Sequence, residues 1–158
     1  MRVRRLQEEL QQTKPFASSR QEAMLALMKT ADVVRRAIGG ILEPHGVTLQ
    51  QYNVLRILRG AGPDGLPTLS IAPRLIEETP GVTRLLDRME ARSWVKRVRC
   101  EKDRRVVYAV ITRSALALLE NIDPLLAQHE SKSLPLLEEA EVRQLIVLLE
   151  RARAQEEQ

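Results

Sequence analysis

The sequence has few of the residues that stabilise small domains by cross-linking or stacking. Its single cysteine, Cys100, excludes an internal disulfide and any zinc site built from several cysteines. Aromatic residues make up only 3% of the chain, so the core must consist mainly of aliphatic side chains, which suits packed helices. No apolar run reaches the roughly 18 residues that span a bilayer, and the basic N-terminus lacks the apolar segment of a secretory signal. We therefore expect a helical protein of the reducing cytoplasm, without a membrane segment.

The sequence also lacks the patterns of catalytic and metal-binding residues. His45 and His129 are too isolated to form a metal site. The neighbouring glutamates at 77–78 and 138–139 do not face each other on a helix. A nucleophile elbow, a P-loop and a dinucleotide-binding fingerprint are all missing. We therefore expect no enzyme activity, no metal site and no cofactor.

What the sequence does have is positive charge in its middle part. The net charge is +4, to which residues 1–49 contribute +3, residues 50–112 contribute +5 and residues 113–158 contribute −4. A basic central part suggests a polyanionic partner. An ordinary solvated charged surface would have the same composition, so charge alone leaves both interpretations open.

The spacing of apolar residues predicts helices along most of the chain. Residues 1–13 could form a short amphipathic arm, and the glycine-rich residues 60–65 mark the clearest break. Between and beyond them the pattern predicts helices over 17–43, 48–59, 68–77 and 79–92, strands over 94–100 and 106–112, and helices over 113–130 and 138–156. Ser18 or Ser19 is expected to cap the first long helix and Thr48 the next. Pro73 lies inside the third, where a kink or a late start is expected.

The helix predicted over residues 79–92 has two contrasting faces. Thr79 followed by Pro80 predicts an N-cap and a first helical residue. One face is an apolar stripe at helical spacing, formed by Val82, Leu85, Leu86 and Met89. The opposite face is polar and mostly cationic, formed by Thr83, Arg84, Asp87 and Arg88. A solvent-exposed helix with local ion pairs to Asp87 would give the same pattern.

Two strands with a charged tip follow this helix, and the combination indicates a winged helix-turn-helix. A helix fits the major groove, where arginine can contact guanine or phosphate. Short residues near the helix start allow close approach to DNA, and an arginine at a hairpin tip can enter the minor groove. The expected DNA-binding residues are Thr79, Gly81, Thr83, Arg84, Arg88, Arg104 and Arg105.

The stretch "TPGVTRLLDRMEARSWVKRVRCEKDRRVVYAVIT", residues 79–112, resembles the recognition helix and wing of MarR-type transcriptional regulators. The order V-T-R-L-L-D-R-M-E, then V-x-R, D-R-R and I-T, is the usual order of that family. The resemblance implies a mainly α fold with a small β-hairpin wing. It also implies a homodimer that binds a pseudo-palindromic operator in double-stranded DNA, usually as a repressor relieved by a small ligand.

The resemblance also assigns parts of the chain and single residues. It implies a winged helix-turn-helix core over residues 48–112, between helical dimerisation parts over 1–47 and 113–158. Asp103 and Arg105 match the wing motif D-x-R, and Asp103 is expected to orient an arginine rather than to touch DNA. Ser93 and Trp94 replace the usual Gly-Leu after the recognition helix. Candidate ligand-binding residues are Met28, Arg35, His45 and Tyr52.

A second hypothesis is a protein-interaction adaptor that keeps the winged-helix shape without reading DNA. Such an adaptor would have no reason to keep a cationic face on the helix over 79–92 and a basic wing tip.

Overall fold

The protein is mainly helical and has one small antiparallel sheet, so the predicted fold class is confirmed. The computed structural model describes residues 5–77 and 81–154. In chain order the elements are α1 (Leu6–Glu9), α2 (Ser19–Leu42), α3 (Leu49–Ala61), β1 (Leu66–Pro67), α4 (Val82–Ala91), β2 (Val95–Arg99), β3 (Val107–Ile111), α5 (Arg113–Glu130) and α6 (Glu139–Arg153). No helix in these described ranges is long and apolar enough to cross a membrane.

The chain divides into two compact units, residues 1–123 and 124–158. The first unit contains the sheet and most of the core. Its fully buried large side chains come from α2 to α5 and from the segments between them: Leu42, Val54, Leu55, Leu58, Ile71, Leu85, Leu86, Met89, Val95, Leu119 and Ile122. The core is therefore aliphatic, as the scarcity of aromatic residues predicted. The second unit contains the last turns of α5, beginning at Pro124, and all of α6.

Side-chain caps fix where the two long N-terminal helices begin. The Ser18 hydroxyl accepts a hydrogen bond from the backbone N–H of Gln21, so Ser18 is the cap of α2. Thr48 caps α3 as predicted and forms a reciprocal capping box with Gln51. Between the two helices the chain turns at Gly46, whose φ of 66° lies in the left-handed region that glycine adopts without strain.

The prediction of one helix over residues 68–77 was wrong. The segment instead forms two single 3₁₀ turns, Thr68–Ser70 and Ala72–Arg74. Pro73 explains the difference, because it has no N–H to donate to the carbonyl of Leu69 and its ring would clash with that carbonyl in an α-helix. Ile71 is fully buried between the two turns and anchors the segment to the core.

The sheet has three strands in the order β1-β3-β2, all antiparallel. The predicted hairpin is β2 and β3, with Val95 opposite Ile111 and Arg99 opposite Val107. The two-residue strand β1 adds to the other edge of β3, with Leu66 opposite Ala109. The sequence pattern did not predict β1, because two residues carry no periodicity. The sheet brings the base of the hairpin next to α4, with which β2 is in contact.

Candidate nucleic-acid interface

Helix α4 begins later than the sequence predicted. Its N-cap is Gly81, with φ 89° and ψ 40°, and the first helical residue is Val82. The prediction that Thr79 is the N-cap was therefore wrong; Thr79 and Pro80 themselves lie outside the described residues. A residue with a Cβ would be strained at this φ, although nothing lies within 4 Å of the position a Cβ would take. Glycine is needed at residue 81 for the backbone conformation, not for space.

The two faces of α4 are those that the spacing predicted. Leu85, Leu86 and Met89 are buried, with at most 2% exposure, and Val82 is half-buried at the start of the stripe. Thr83, Arg84, Asp87 and Arg88 are exposed. Neither Arg84 nor Arg88 forms a salt bridge with any residue that the structure describes. Both guanidinium groups are therefore available to an anionic partner.

Asp87 pairs with Arg97 of β2 and not with the arginines on its own helix. The Arg97 Nη2 donates to Asp87 Oδ1 at 2.6 Å and to the carbonyl oxygen of Thr83 at 3.1 Å. The backbone N–H of Arg97 donates to Glu90 Oε1 at 3.0 Å, and the Arg97 Nε lies 3.7 Å from Glu90 Oε2. One residue of the wing thus contacts three successive turns of α4. This connection fixes the position of the helix relative to the wing, and the Arg97 guanidinium compensates the charge of Asp87 on the exposed face.

A side-chain hydrogen bond shapes the tip of the wing. The Asp103 carboxylate accepts a hydrogen bond of 2.9 Å from the backbone N–H of Arg105. The backbone N–H of Val106 donates to the Asp103 carbonyl, and that of Cys100 donates to the Val106 carbonyl, which closes the turn. Asp103 acts on the backbone of Arg105 rather than on its guanidinium. Arg104 and Arg105 are exposed, and neither has an ion pair within the described ranges.

The segment that follows α4 reaches back to the turn between α2 and α3. Ser93 has a left-handed φ of 58°, and its carbonyl accepts hydrogen bonds from the hydroxyls of Thr112 and Ser114. The Arg92 guanidinium stacks over the Trp94 ring at 4.3 Å from the ring centre and donates to the Gly46 carbonyl. The Ser93–Trp94 departure from the usual Gly-Leu is therefore accommodated by a strained serine and a half-buried indole.

The four candidate ligand-binding residues have different environments. Arg35 on α2 forms a salt bridge of 2.9 Å with Glu77, in the segment before α4, and lines two adjoining cavities. Tyr52 is 8% exposed and belongs to the core, with the Arg56 guanidinium over its ring. Met28 is 68% exposed on α2, and His45 is half-buried in the turn that follows. Of the four, Arg35 is the one that lines these two cavities.

The part of the chain that the structure describes contains no cluster of three or more His, Cys, Asp or Glu residues that could hold a metal ion. The chemistry of the site is instead that of an exposed cationic face. Such a face suits phosphate and base edges.

Comparisons with known proteins identify the family. Residues 47–107, from the start of α3 to β3, match the MarR family. The chain is 33% identical over 108 residues to the HTH-type transcriptional regulator YkoM of Bacillus subtilis, an alignment that covers 68% of this chain and 69% of YkoM. The chain belongs to the MarR family. Members of the MarR family are DNA-binding transcriptional regulators and not enzymes.

Solved structures agree with this membership. The MarR transcription factor from Planctomyces limnophilus is 38% identical, with a TM-score of 0.66 and coverage of 86% of this chain and 98% of that one. A crystal structure of Staphylococcus aureus MepR with DNA is 24% identical, with a TM-score of 0.71 and coverage of 80% and 93%. The second likeness shows the fold alone. The resemblance found in the recognition helix and wing of the sequence is thus confirmed.

Sequence reasoning missed Arg97 in this MarR-family site. Its partners on α4 lie 7 to 14 residues away along the chain. The helical spacing suggested only Arg84 and Arg88, on the same helix, as ion-pair partners of Asp87. The available signal was the alternation along β2, which places Arg97 on the same face as the buried Val95.

Proposed function

We propose that this MarR-family protein is a ligand-responsive repressor that binds a pseudo-palindromic operator as a homodimer. In this proposal α4 enters the major groove and the wing lies along the flanking backbone. The observation that carries it is the exposed face of α4, where two arginines project without ion-pair partners among the described residues while Asp87 is held by Arg97. A purely structural helix would gain nothing from leaving these two charges unpaired.

The two parts of the surface are proposed to divide the work of recognition. Arg84 and Arg88, one turn apart on α4, would reach base edges or the phosphates at the rim of the major groove. Gly81 and Thr83 are short and would allow the start of α4 to approach the DNA, and Thr79 is proposed for the same role. Arg104 and Arg105 would contact the minor groove or its phosphates from the wing tip. Asp103 would keep that tip in shape through the N–H of Arg105.

Dimerisation is proposed to involve the helices outside the winged core. Helix α2 exposes an apolar series comprising Met24, Leu27, Met28, Val33 and Val34. The second unit exposes another series, comprising Leu134, Leu136, Leu137, Ile146, Val147 and Leu148. Contiguous apolar surface of this kind marks protein–protein interfaces. A second copy of the chain is the occupant that the family resemblance implies, with residues 1–47 and 113–158 as the dimerisation parts.

The effector is proposed to bind near Arg35. The cavity between α2 and the start of α3 has a volume of about 570 Å³ and is lined in part by Arg35, Arg36 and Thr48. This volume falls in the range of small-molecule sites. The guanidinium groups of Arg35 and Arg36 could pair with an acidic compound, although Glu43 also lines the cavity and the two arginines already pair with Glu77 and Asp32. Because Arg35 also pairs with Glu77, a ligand that binds Arg35 would compete with this ion pair. Met28, His45 and Tyr52 remain weaker candidates for the same site.

Selection from random duplexes followed by footprinting tests the proposed function. A dimer with two-fold symmetry should select a pseudo-palindrome whose half-sites are about 10 base pairs apart, because two recognition helices then lie about one helical turn apart. The footprint should cover both half-sites. Failure of the full-length protein to enrich any sequence, or protection of one unrepeated half-site, would contradict the proposal.

A further inference from the structure

Helix α4 ends in a backbone motif that turns the chain toward the wing. Arg92 is the C-cap, and Ser93 after it has the left-handed φ of 58°. The N–H of Ser93 donates to the carbonyl of Glu90, and the N–H of Trp94 donates to the carbonyl of Met89. These two bonds form a Schellman motif, which satisfies carbonyls that have no partner within the helix. The turn brings the side chains of Arg92 and Trp94 together.

The Arg92 guanidinium makes two contacts outside α4, and neither is with a carboxylate. It lies over the Trp94 ring, 4.3 Å from the ring centre, and its Nη1 donates to the carbonyl of Gly46. No salt bridge among the described residues involves Arg92. A planar guanidinium can make both contacts at once, because it stacks through its face and donates through its edge. We call Gly46, Arg92 and Trp94 together the Arg92 clamp.

The Gly46 end of the Arg92 clamp belongs to a turn that is anchored in the core. The N–H of Gly46 donates to the carbonyl of Glu43, and the N–H of Val47 donates to the carbonyl of Leu42. Leu42 and Val47 are both buried. A Cβ at residue 46 would lie 3.2 Å from the Nη2 of Arg92, which is closer than ordinary van der Waals contact. The clamp therefore joins the C-terminal end of α4 to the turn between α2 and α3.

Arg92 and Arg97 hold α4 at different places. Arg97 approaches from the wing and contacts Thr83, Asp87 and Glu90, whereas Arg92 acts after the last helical turn. The clamp also depends on the residue at position 94, because the leucine usual there in the family has no aromatic face to attract a cation. The contact from the C-terminal end of α4 to the α2–α3 turn is thus built on the tryptophan of this chain.

We propose that Arg92 is a positioning residue for DNA recognition, which sets the angle of α4 in the major groove through Trp94 and Gly46. Arg92 itself contacts neither a base nor a phosphate in this proposal. The inference rests on the proposed function, because it takes α4 as the recognition helix. Loss of a phosphate-binding cation would weaken binding to all sequences alike. Loss of Arg92 should instead reduce the preference for the operator over random DNA.

The fluorescence of Trp94 reports on the clamp directly, since Trp94 is the single tryptophan of the chain. Arg92→Ala should increase the quenching of Trp94 by acrylamide, because the ring loses the group that lies over one of its faces. Arg113 offers a matched control, as an exposed cation at the first residue of α5 that forms no salt bridge with a described residue. Arg113→Ala should leave the quenching unchanged.

Affinities for the selected operator and for random duplex DNA separate position from charge. Arg92→Ala should weaken operator binding about two- to fivefold more than random-DNA binding, in line with the loss of one exposed cation–π contact. Arg113→Ala should weaken both by the same factor. Arg92→Lys keeps the charge but lacks the planar group that stacks and donates together. Its random-DNA affinity should stay at the wild-type level while its operator affinity falls.

Trp94→Leu tests whether the members of the clamp act as a unit. It should reduce the preference for the operator, and adding Arg92→Ala in this background should reduce it further by less than Arg92→Ala does in wild type. The two changes remove the same contact, so their effects should not add. Circular dichroism of the full-length variants shows whether each is folded. Arg92→Lys provides the same comparison if Arg92→Ala does not fold.

The possible failures can be told apart. An unchanged ratio of operator to random-DNA affinity in folded Arg92→Ala would overturn the inference, even if the quenching of Trp94 rises, because the clamp would then have no part in recognition. Wild-type preference in Arg92→Lys would show that charge alone suffices, and equal effects of Arg92→Ala with and without Trp94 would show that the ring is not involved. Either result would also overturn it. If the wild type itself selects no operator, the proposed function fails and the inference falls with it.

Discussion

Ser93 is one of the described non-glycine residues with a left-handed backbone conformation. It follows the recognition helix with a φ of 58°, at a position where the family usually has glycine. The left-handed conformation costs a residue with a Cβ about 1–2 kcal/mol. The contacts made at this position use the backbone of Ser93, since its carbonyl accepts from Thr112 and Ser114 and its N–H donates to Glu90. The side chain itself contributes strain and little else.

Ser93→Gly should therefore stabilise the protein. Glycine also increases the conformational entropy of the unfolded chain, and this offsets about 0.4–1 kcal/mol of the strain energy that the substitution removes. The net gain should be about 0.5–1 kcal/mol in the free energy of unfolding, measured by urea denaturation. Ala91→Gly, two residues earlier at the end of α4, is the control and should destabilise by about 0.5–1 kcal/mol, because its backbone is helical. Equal destabilisation by both changes would show that Ser93 is not strained.

Individual residues were predicted from the sequence to the extent that their role was local. The alternation of buried and exposed positions on α4 depends on helical spacing alone, and the structure agrees with it. The capping role of Thr48 also depends on a partner three residues away. The role of Arg97 depends on how a strand folds back against a helix. Neighbouring residues do not show which strand residue will lie beside the helix. The local pattern therefore suggested only the arginines of α4 as partners of Asp87, whereas its partner is Arg97.

At the scale of elements, the bridge from Arg97 to α4 should determine how well the helix and the wing act together. Arg97→Met keeps most of the apolar stem but removes the donors to Thr83 and Asp87. We expect weaker operator binding with less effect on random DNA, because the helix loses its fixed angle. The coupling energy between Arg97→Met and Asp87→Asn in unfolding should be about 1 kcal/mol or less, since Asp87 is 54% exposed and well solvated.

Lys96→Met is the matched control for this prediction. It removes an exposed cation from the same strand on the opposite face, and no salt bridge between described residues involves Lys96. If Arg97→Met and Lys96→Met reduce operator affinity and random-DNA affinity by the same factors, then Arg97 contributes charge only, and the positioning role is wrong.

The wing tip should respond to loss of Asp103 by disordering rather than by losing a contact with DNA. Asp103→Ala removes the acceptor for the Arg105 N–H and removes no cation. Operator affinity should fall, and faster amide hydrogen exchange should be confined to residues near the tip. Glu101→Ala removes an exposed carboxylate from the same tip and should leave exchange unchanged. Unchanged exchange in Asp103→Ala would mean that the turn holds without it.

The elements show where sequence patterns are reliable. The predicted helix over 113–130 agrees with α5, and the predicted strands enclose β2 and β3 within one or two residues. The segment over 68–77 failed because the apolar spacing persisted while Pro73 removed an α-helical hydrogen bond. The start of α4 failed because Thr79–Pro80 is a good local start signal, whereas the chain uses the left-handed Gly81. In both segments the sequence contains two conflicting local signals, and residue spacing does not show which of them determines the structure.

For the whole molecule, the exposed apolar side chains predict a dimer. Met28→Glu places a charge on the apolar series of α2 and should shift the protein toward monomer in sedimentation velocity at micromolar concentration. Thr30→Glu adds the same charge at an exposed polar position of the same helix and should leave the dimer intact. Deleting residues 1–14 and 138–158 should also yield a weakly associating monomer. A compact monomer for the unaltered chain would show that these surfaces have another use.

The central claim is that α4 and the wing together form the DNA-reading surface of this MarR-family protein. The most direct test is the operator affinity of Arg84→Ala, Arg88→Ala and Arg105→Ala, each shown to be folded by circular dichroism. If Arg84 or Arg88 reads a base, its replacement by alanine should weaken operator binding by about 1–3 kcal/mol and relax the base preference at one position of the operator. Arg105→Ala should weaken binding evenly across sequences and lower the salt slope by about 0.9 if it neutralises one phosphate. Wild-type affinity in all three folded variants would contradict the account, and the adaptor hypothesis would replace it.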